Sequence, residues 1–249
     1  MNYLLLFFGL LMVGTTTTTP SLSSDLDYGL VAYYSFDKCD ARDDSGNGSE
    51  GILHGNPSCW CGIDNNGLLL DGKNDYVEFT GVVNRCFTTS DFTVSFYFKA
   101  ERKSIFRQSL LSKRSNCESE YVFDIQLDQQ SGKIQTEVLQ EEGVSYGDIS
   151  PDFKNAGWYH YALVREGRHA HTYIDGILVQ SGTRCSGVDI SNDAPLNFSN
   201  SPCIGAGGTR RFQGILDELR IFDRSLSHEE IQALYDQYPI EQANADCFS

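Results

Sequence analysis

The sequence is short of positive charge, of closely spaced cysteine pairs and of long apolar runs, and each shortage closes off a class of function. Its 19 Lys and Arg stand against 34 Asp and Glu, a formal net charge of -15 over 249 residues. A surface so acidic repels phosphate backbones and anionic membrane faces, which sets nucleic acid aside as a partner. There is no CxxC pair. Cys59-Trp60-Cys61 is the tightest spacing, and no second close Cys or His pair stands near it, so a zinc cluster is a poor reading. The longest apolar run, Tyr3 to Val13, has 11 residues, whereas a helix needs roughly 20 to cross a bilayer. No later run is long and apolar enough, so no membrane span is expected in the mature chain.

The N-terminal run suits the apolar region of a signal peptide, although no Lys or Arg precedes it. Thr15 to Thr19 and the small residues after them offer a cleavage site. The expected organisation is a signal peptide over 1–19, a polar linker over 20–27 and one domain over 28–249, secreted from the cell. Eight cysteines follow the apolar run: Cys39, Cys59, Cys61, Cys86, Cys117, Cys185, Cys203 and Cys247. An even number in an oxidising compartment reads as up to four disulfides, with about 105 possible connectivities. Cys185 to Cys203 is the most plausible local bridge, and Cys247 is expected to staple the tail. Asn47-Gly48-Ser49 and Asn197-Phe198-Ser199 are sequons, making Asn47 and Asn197 candidate glycosylation sites.

What the sequence does have is β-forming residues: 40% hydrophobic and 12% aromatic, enough for a large core. A first strand is expected over 30–36. A long connection rich in Asp, Gly, Asn and Cys follows over 37–66, cross-linked through its cysteines. Strands are expected at 68–70 and 76–79. In 92–98, Phe92, Val94, Phe96 and Phe98 alternate with Thr93, Ser95 and Tyr97, so the first set should face the core. Further strands fit at 105–112, 121–127, 132–139 and 158–165. Asp175-Gly176 between two apolar strands predicts a type I′ hairpin. Residues 182–210 read as loop, and 214–222 as a late strand. Ser227 with Glu230 three residues on predicts a capping box opening one short helix. Many strands and one C-terminal helix make an all-β sandwich.

Four ordered segments resemble a laminin-G-like domain of the concanavalin A-like lectin/glucanase superfamily. They are Leu30–Asp37 with Asp44-Ser45-Gly46-Asn47-Gly48, Leu70–Val77, Trp158–Val164 leading into the Asp175-Gly176 hairpin, and Phe212–Phe222 followed by Leu226-Ser227 and Glu230-Ile231. Together they span roughly residues 28 to 238. The resemblance implies a two-sheet antiparallel jelly-roll sandwich. It also implies one structural Ca2+, with Asp37, Asn47, the Gly72 carbonyl and Asp217 as candidate ligands. Calcium takes about 6–8 oxygens, many from carbonyls. The same residues also read as an ordinary turn and an Arg-paired acid.

Hydrolases share that fold, so the fold alone does not decide between catalysis and binding. Laminarinase-like members carry their carboxylates in a Glu-x-Asp pattern along one strand, and no Glu-x-Asp tripeptide occurs here. Glu120 and Asp124 are four apart without the middle acid, and Asp217 and Glu218 are expected on opposite faces. His169 and His171 share a strand face, more simply read as solvated than as a ligand pair. No catalytic residue is assigned. The reading is a secreted, non-catalytic module binding an extracellular glycan or glycoprotein with calcium support. Trp60, Tyr97, Tyr146 and Tyr159 are candidate ligand contacts, by ring stacking. A matrix or adhesive protein without sugar specificity and a divergent glycoside hydrolase are the alternatives.

Overall fold

The computed structural model describes residues 26–101, 104–118, 120–141, 144–149, 157–167, 169–182 and 188–243; side chains of 144–149 are not described. The expected signal segment, Cys185 and Cys247 therefore lie outside the described residues. Among the described residues there are sixteen strands: β1 Leu30–Tyr34, β2 Gly51–His54, β3 Ser58–Cys61, β4 Asn66–Asp71, β5 Tyr76–Phe79, β6 Phe92–Ala100, β7 Gln108–Lys113 and β8 Val122–Asp128. They continue with β9 Lys133–Glu141, β10 Val144–Ile149, β11 Trp158–Glu166, β12 His169–Ile174, β13 Ile177–Gly182, β14 Leu196–Phe198, β15 Arg210–Arg211 and β16 Gln213–Phe222. A short helix α1, Pro202–Gly205, and the C-terminal α2, His228–Gln237, complete the elements used below.

The strands form two eight-stranded sheets, ordered β13-β12-β11-β6-β16-β4-β3 with β1 also on β16, and β10-β9-β8-β7-β14-β5-β2 with β15 also on β7. Except for the parallel β15–β7 pair, the ladders are antiparallel. This is the expected two-sheet sandwich with one short C-terminal helix. The core lies between the sheets, and Phe92, Val94, Phe96 and Phe98 all join it, as their alternation requires. Phe96 packs against Tyr161 and Phe198 at 5.3 and 5.7 Å. The Asp175-Gly176 turn has φ of 50° and 73°, and the Ser227–Glu230 capping box is formed.

Four expectations need correction. The 37–66 connection is not wholly loop, because β2 and β3 lie within it, although the Cys39–Cys59 bridge does cross-link it. Residues 182–210 contain β14 and α1. Cys203 bonds Cys117 rather than Cys185, because α1 carries it over the turn after β7. Cys86 is a free thiol buried in the core; Cys61 is disulfide-bonded. Leu26, within the expected linker, is buried in a satellite cluster with Phe222, Leu226 and Ile231.

The outer face of the first sheet is covered at its centre, while the edge strands β13 and β3 stay exposed. The opposite side of β6, with Thr93, Ser95 and Tyr97, is buried as well, because α2 and the segment after it lie across it. Tyr97 Oη donates to the Tyr235 carbonyl at 3.2 Å, and Leu226 N donates to Thr93 Oγ1 at 3.0 Å. That covering leaves the second sheet to present an outer face.

Candidate functional site

Register assembles a polar row across the outer face of the second sheet. Ile52 pairs with Glu78, Glu78 with Asn197, Asn197 with Ser112, Ser112 with Asp124, and Asp124 with Glu137. Directly paired residues share a face, and at about 4.8 Å per strand the row runs roughly 24 Å. Local sequence explains the row: the alternate residues Val77, Phe79, Leu111, Phe123, Ile125, Val138 and Phe198 all enter the core. A second row lies beside it, with Arg211 against Ser109, Ser109 against Gln126 and Gln126 against Gln135.

A cleft of about 490 Å³ opens over the first row, lined by Glu78, Arg114, Asn197, Asn200 and Ser201 among others. Arg114 Nη1 lies 3.4 Å from Asp124 Oδ2, with both side chains almost wholly buried. Arg114 Nε also donates to the Asn116 carbonyl at 3.0 Å, and the guanidinium donates to the Cys117 carbonyl. The Cys117–Cys203 bridge therefore fixes the loop that orients this arginine. Burial pushes the Asp124 carboxyl up, while Gln126 and Arg114 pull it back down. Asp124 Oδ1 and the Ser109 and Ser112 hydroxyls lack a hydrogen-bond partner at bonding geometry. Asn197 and Asn200 touch through Oδ1 and Nδ2 at 3.5 Å, and Asn197 Nδ2 donates to the Pro195 carbonyl. Convergent amide, carboxylate and guanidinium groups of this sort suit a hydroxyl-rich ligand.

The sequence-derived candidates are placed differently. Tyr97 is buried under the Tyr235 carbonyl, and Tyr159 is half-buried, stacked on Phe98 at 5.8 Å against the core. Neither is an exposed stacking platform, because the helix covers one and the sandwich interior takes the other. Trp60, 43% exposed on β3, does reach solvent. Tyr146 stands on β10, and its side chain is not described. Asn197, singled out as a sequon, lies in the row itself.

The four implied calcium ligands do not assemble as one set. β4 and β1 lie end to end along one side of β16, pairing residues 213–216 and 219–222. Gly72 follows Asp71, which pairs with Gln213, whereas Asn47 Nδ2 donates to the Leu30 carbonyl at the Phe222 end. The two stand at opposite ends of β16. Asp37 and Asp217 do share the gap between β1 and β4. Asn66 N donates to Asp37 Oδ1 at 3.4 Å, and Ile63 N donates to Asp217 Oδ2 at 2.8 Å, from the two sides of one loop. A bulge after Asp217, with Glu218 at φ 51°, turns both acids toward this gap rather than to opposite faces. Glu218 pairs with Arg220 at 2.7 Å and accepts from Tyr33 Oη at 2.9 Å. Burial raises all three carboxyls: Glu218 to about 7, with Asp37 and Asp64 adding to it, and Asp217 with Glu218 adding to it. Among the described residues, no group of three or more His, Cys, Asp or Glu is placed to hold a metal ion.

Glu78, Ser112, Arg114 and Asn200 escape sequence reasoning. The alternating polar positions Asp124, Gln126, Gln135 and Glu137 are legible as an outward face, but only the register shows which of them become neighbours.

Two stacked antiparallel sheets with this strand order define a jelly-roll sandwich. The chain belongs to the concanavalin A-like lectin/glucanases superfamily, whose model matches residues 71–232. Several solved structures share the fold. One is the binding domain of Paraclostridial Mosquitocidal Protein 1, with a TM-score of 0.70 and 18% identity over 86% of this chain and 53% of that one. Another is domain 4 of AbnA, an extracellular arabinanase of Geobacillus stearothermophilus bound to arabinotriose, with a TM-score of 0.64 and 20% identity over 83% of this chain and 98% of that one. A third is the binding domain of Botulinum Neurotoxin DC in complex with SialylT, with a TM-score of 0.68 and 14% identity over 86% and 52%. The chain spans about half the length of the two toxin domains. No curated protein matches it in sequence.

Proposed function

We propose that the chain is a secreted, non-catalytic module that recognises an extracellular glycan or glycoprotein along the outer face of its second sheet. The observation that carries this is the cleft lined by Glu78, Arg114, Asn197 and Asn200, from which the row continues through the buried Ser112 and Asp124 to Glu137. The arabinotriose-bound arabinanase domain of the same fold supports it. Disulfides support an oxidising compartment, and no helix among the described residues is long and apolar enough to cross a membrane. A glycan array tests the reading. Glu78→Ala and Asn200→Ala are expected to weaken the strongest signal at least about tenfold, the loss of one good hydrogen bond to a charged or amide group. Signal that is absent, or untouched by both changes, would sink it.

Hydrolysis is a second reading with one observation in its favour: Asp124 and Glu137 face each other directly, and burial raises the first. Retaining hydrolysis needs two carboxyls about 5–5.5 Å apart. The ion pair of Asp124 with Arg114 favours binding instead. Turnover of a bound glycan that Asp124→Asn abolishes would reverse that preference.

Calcium is a separate proposal, confined to the gap where Asp37 and Asp217 meet the Ile63–Asn66 loop. An ion there would tie three chain segments and stabilise the fold by linkage. Thermal melting should then fall with EDTA in the wild type and not in Asp217→Asn. A wild-type melting temperature indifferent to EDTA rejects calcium without touching the glycan reading.

A further inference from the structure

The end of the second sheet nearest β15 carries basic side chains in an otherwise acidic chain. A cleft of about 370 Å³ is lined there by Gly72, Ser104, Phe106, Arg210, Arg211 and Gln213, with Ile105 and Gln108. It shares Gly72 and Gln213 with a neighbouring cleft of about 540 Å³ that adds Lys73, Asn74, Asp71, Asp75 and Glu101. The Arg210 guanidinium stands 4.2 Å over the Phe106 ring, and that of Arg211 4.5 Å over the Tyr76 ring. Tyr76 is itself stacked on His54, at 4.2 Å and 2°. These rings hold the two guanidinium planes in place.

The arginines are held by neutral groups rather than by direct ion pairs. Arg210 Nη1 donates to the Thr209 and Gly207 carbonyls, and Arg211 Nη1 to the Ser199 carbonyl and Asn200 Oδ1. Neither forms an ion pair among the described residues. The charges of the nearby acids Asp71 and Asp75 act on Arg211 from a distance, while their oxygens accept backbone N–H groups: Asp71 Oδ1 from Lys73, Asn74 and Asp75, and Asp75 from Asn56 and Asp71. Both line the neighbouring cleft with Glu101, whereas no carboxylate among the described residues lines the arginine cleft itself. Arg211 also heads the second polar row and touches Asn200, which lines the main groove. A ligand lying along the sheet face therefore meets this cleft at one end.

We propose that the Arg210–Arg211 cleft takes an anionic group, carboxylate or sulfate, carried by the glycan. This rests on the glycan-binding reading and names one chemical feature of the ligand. Planar guanidinium forks match the paired oxygens of either group, and the aromatic backing keeps them from collapsing onto the surface.

Calorimetry at physiological ionic strength tests it with three probes: a tetragalacturonate, a chondroitin sulfate tetrasaccharide and a neutral galactose tetrasaccharide. At least one acidic probe should bind about tenfold or more tightly than the neutral one, with the preference shrinking as salt is added. Arg210→Gln and Arg211→Gln should each reduce the preference about tenfold, and Arg211→Lys should retain part of it. Arg210 is exposed, so its variant is expected to fold normally, and melting curves check both. A stronger response to the sulfated probe assigns sulfate, and the reverse assigns carboxylate. Equal binding of acidic and neutral probes, or a preference that survives both Gln substitutions in normally melting protein, overturns the anionic cleft and leaves glycan binding standing. Silence from every acidic and neutral glycan on an array overturns the parent reading and this one with it.

Discussion

His160 is wholly buried, with Nε2 2.7 Å from Ser95 Oγ and its backbone N–H donating to Asp175 Oδ1 at 2.9 Å. Burial, reinforced by Arg220, pushes its pKa from 6.5 down to about 3. Between those values the unfolded chain binds the extra proton, so this group's contribution to stability falls as pH drops, by at most about 1.4 kcal/mol per pH unit. Glu218 works in the opposite sense. Its pKa rises from 4.5 to about 7 by burial, so the folded state holds the extra proton in that window and its contribution falls as pH rises. His160→Gln should therefore remove the acid-side loss and leave stability rising on acidification from pH 7 to 4.5. Urea titrations across that range measure it; an unchanged pH slope in the variant would contradict the assignment.

At the scale of elements, the C-terminal helix and the disulfide-held loop decide which surface is offered. Ser227 Oγ caps the Glu230 N–H of α2, and the Glu230 carboxylate returns to the Ser227 N–H at 2.8 Å. Ser227→Ala is expected to cost about 1 kcal/mol, read as a lower urea midpoint at unchanged slope. The Cys117–Cys203 bridge spans 86 residues of sequence. Replacing both by Ser should cost about 2–4 kcal/mol. Because the bridge fixes the Arg114 loop, glycan affinity should fall in protein still folded below its new melting temperature. Retained affinity would show that the arginine is held by Asp124 alone. The 188–201 segment looks like loop in sequence because its anchors are remote. Lys113 Nζ donates to the Asn192 and Ala194 carbonyls at 2.7 and 2.8 Å, and Arg165 reaches the Val188 carbonyl at 2.6 Å. Two buried cations stand in for ladder bonds over 188–194, ahead of the paired strand β14.

For the molecule as a whole, the division of labour between the sheets is the functional statement. One outer face is spent on α2 and the chain that follows it; the other keeps a polar surface and two clefts. Much of the frame was legible beforehand. The Phe92–Phe98 alternation, the Asp175-Gly176 turn, the Ser227 cap and the ordered family segments depend on neighbours a few residues apart, where short-range periodicity and turn chemistry speak directly. Tyr97 misled for the same reason: alternation correctly placed it off the main core, but only the packing of α2 buries it. Asp217 and Glu218 misled because a bulge breaks the two-residue period on which the opposite-face reading relied.

By itself, the sequence determined the all-β class, the place of most strands and the C-terminal helix, and the acidic net charge, because each follows from composition or from contacts within a strand's or helix's length. Only the tertiary structure decided the Cys117–Cys203 pairing, the free Cys86, the separation of Gly72 from Asn47 and the row that joins Glu78, Asn197, Ser112, Asp124 and Glu137. Those residues come from different strands, and their meeting depends on sheet order and register, which pairing across the whole sandwich sets.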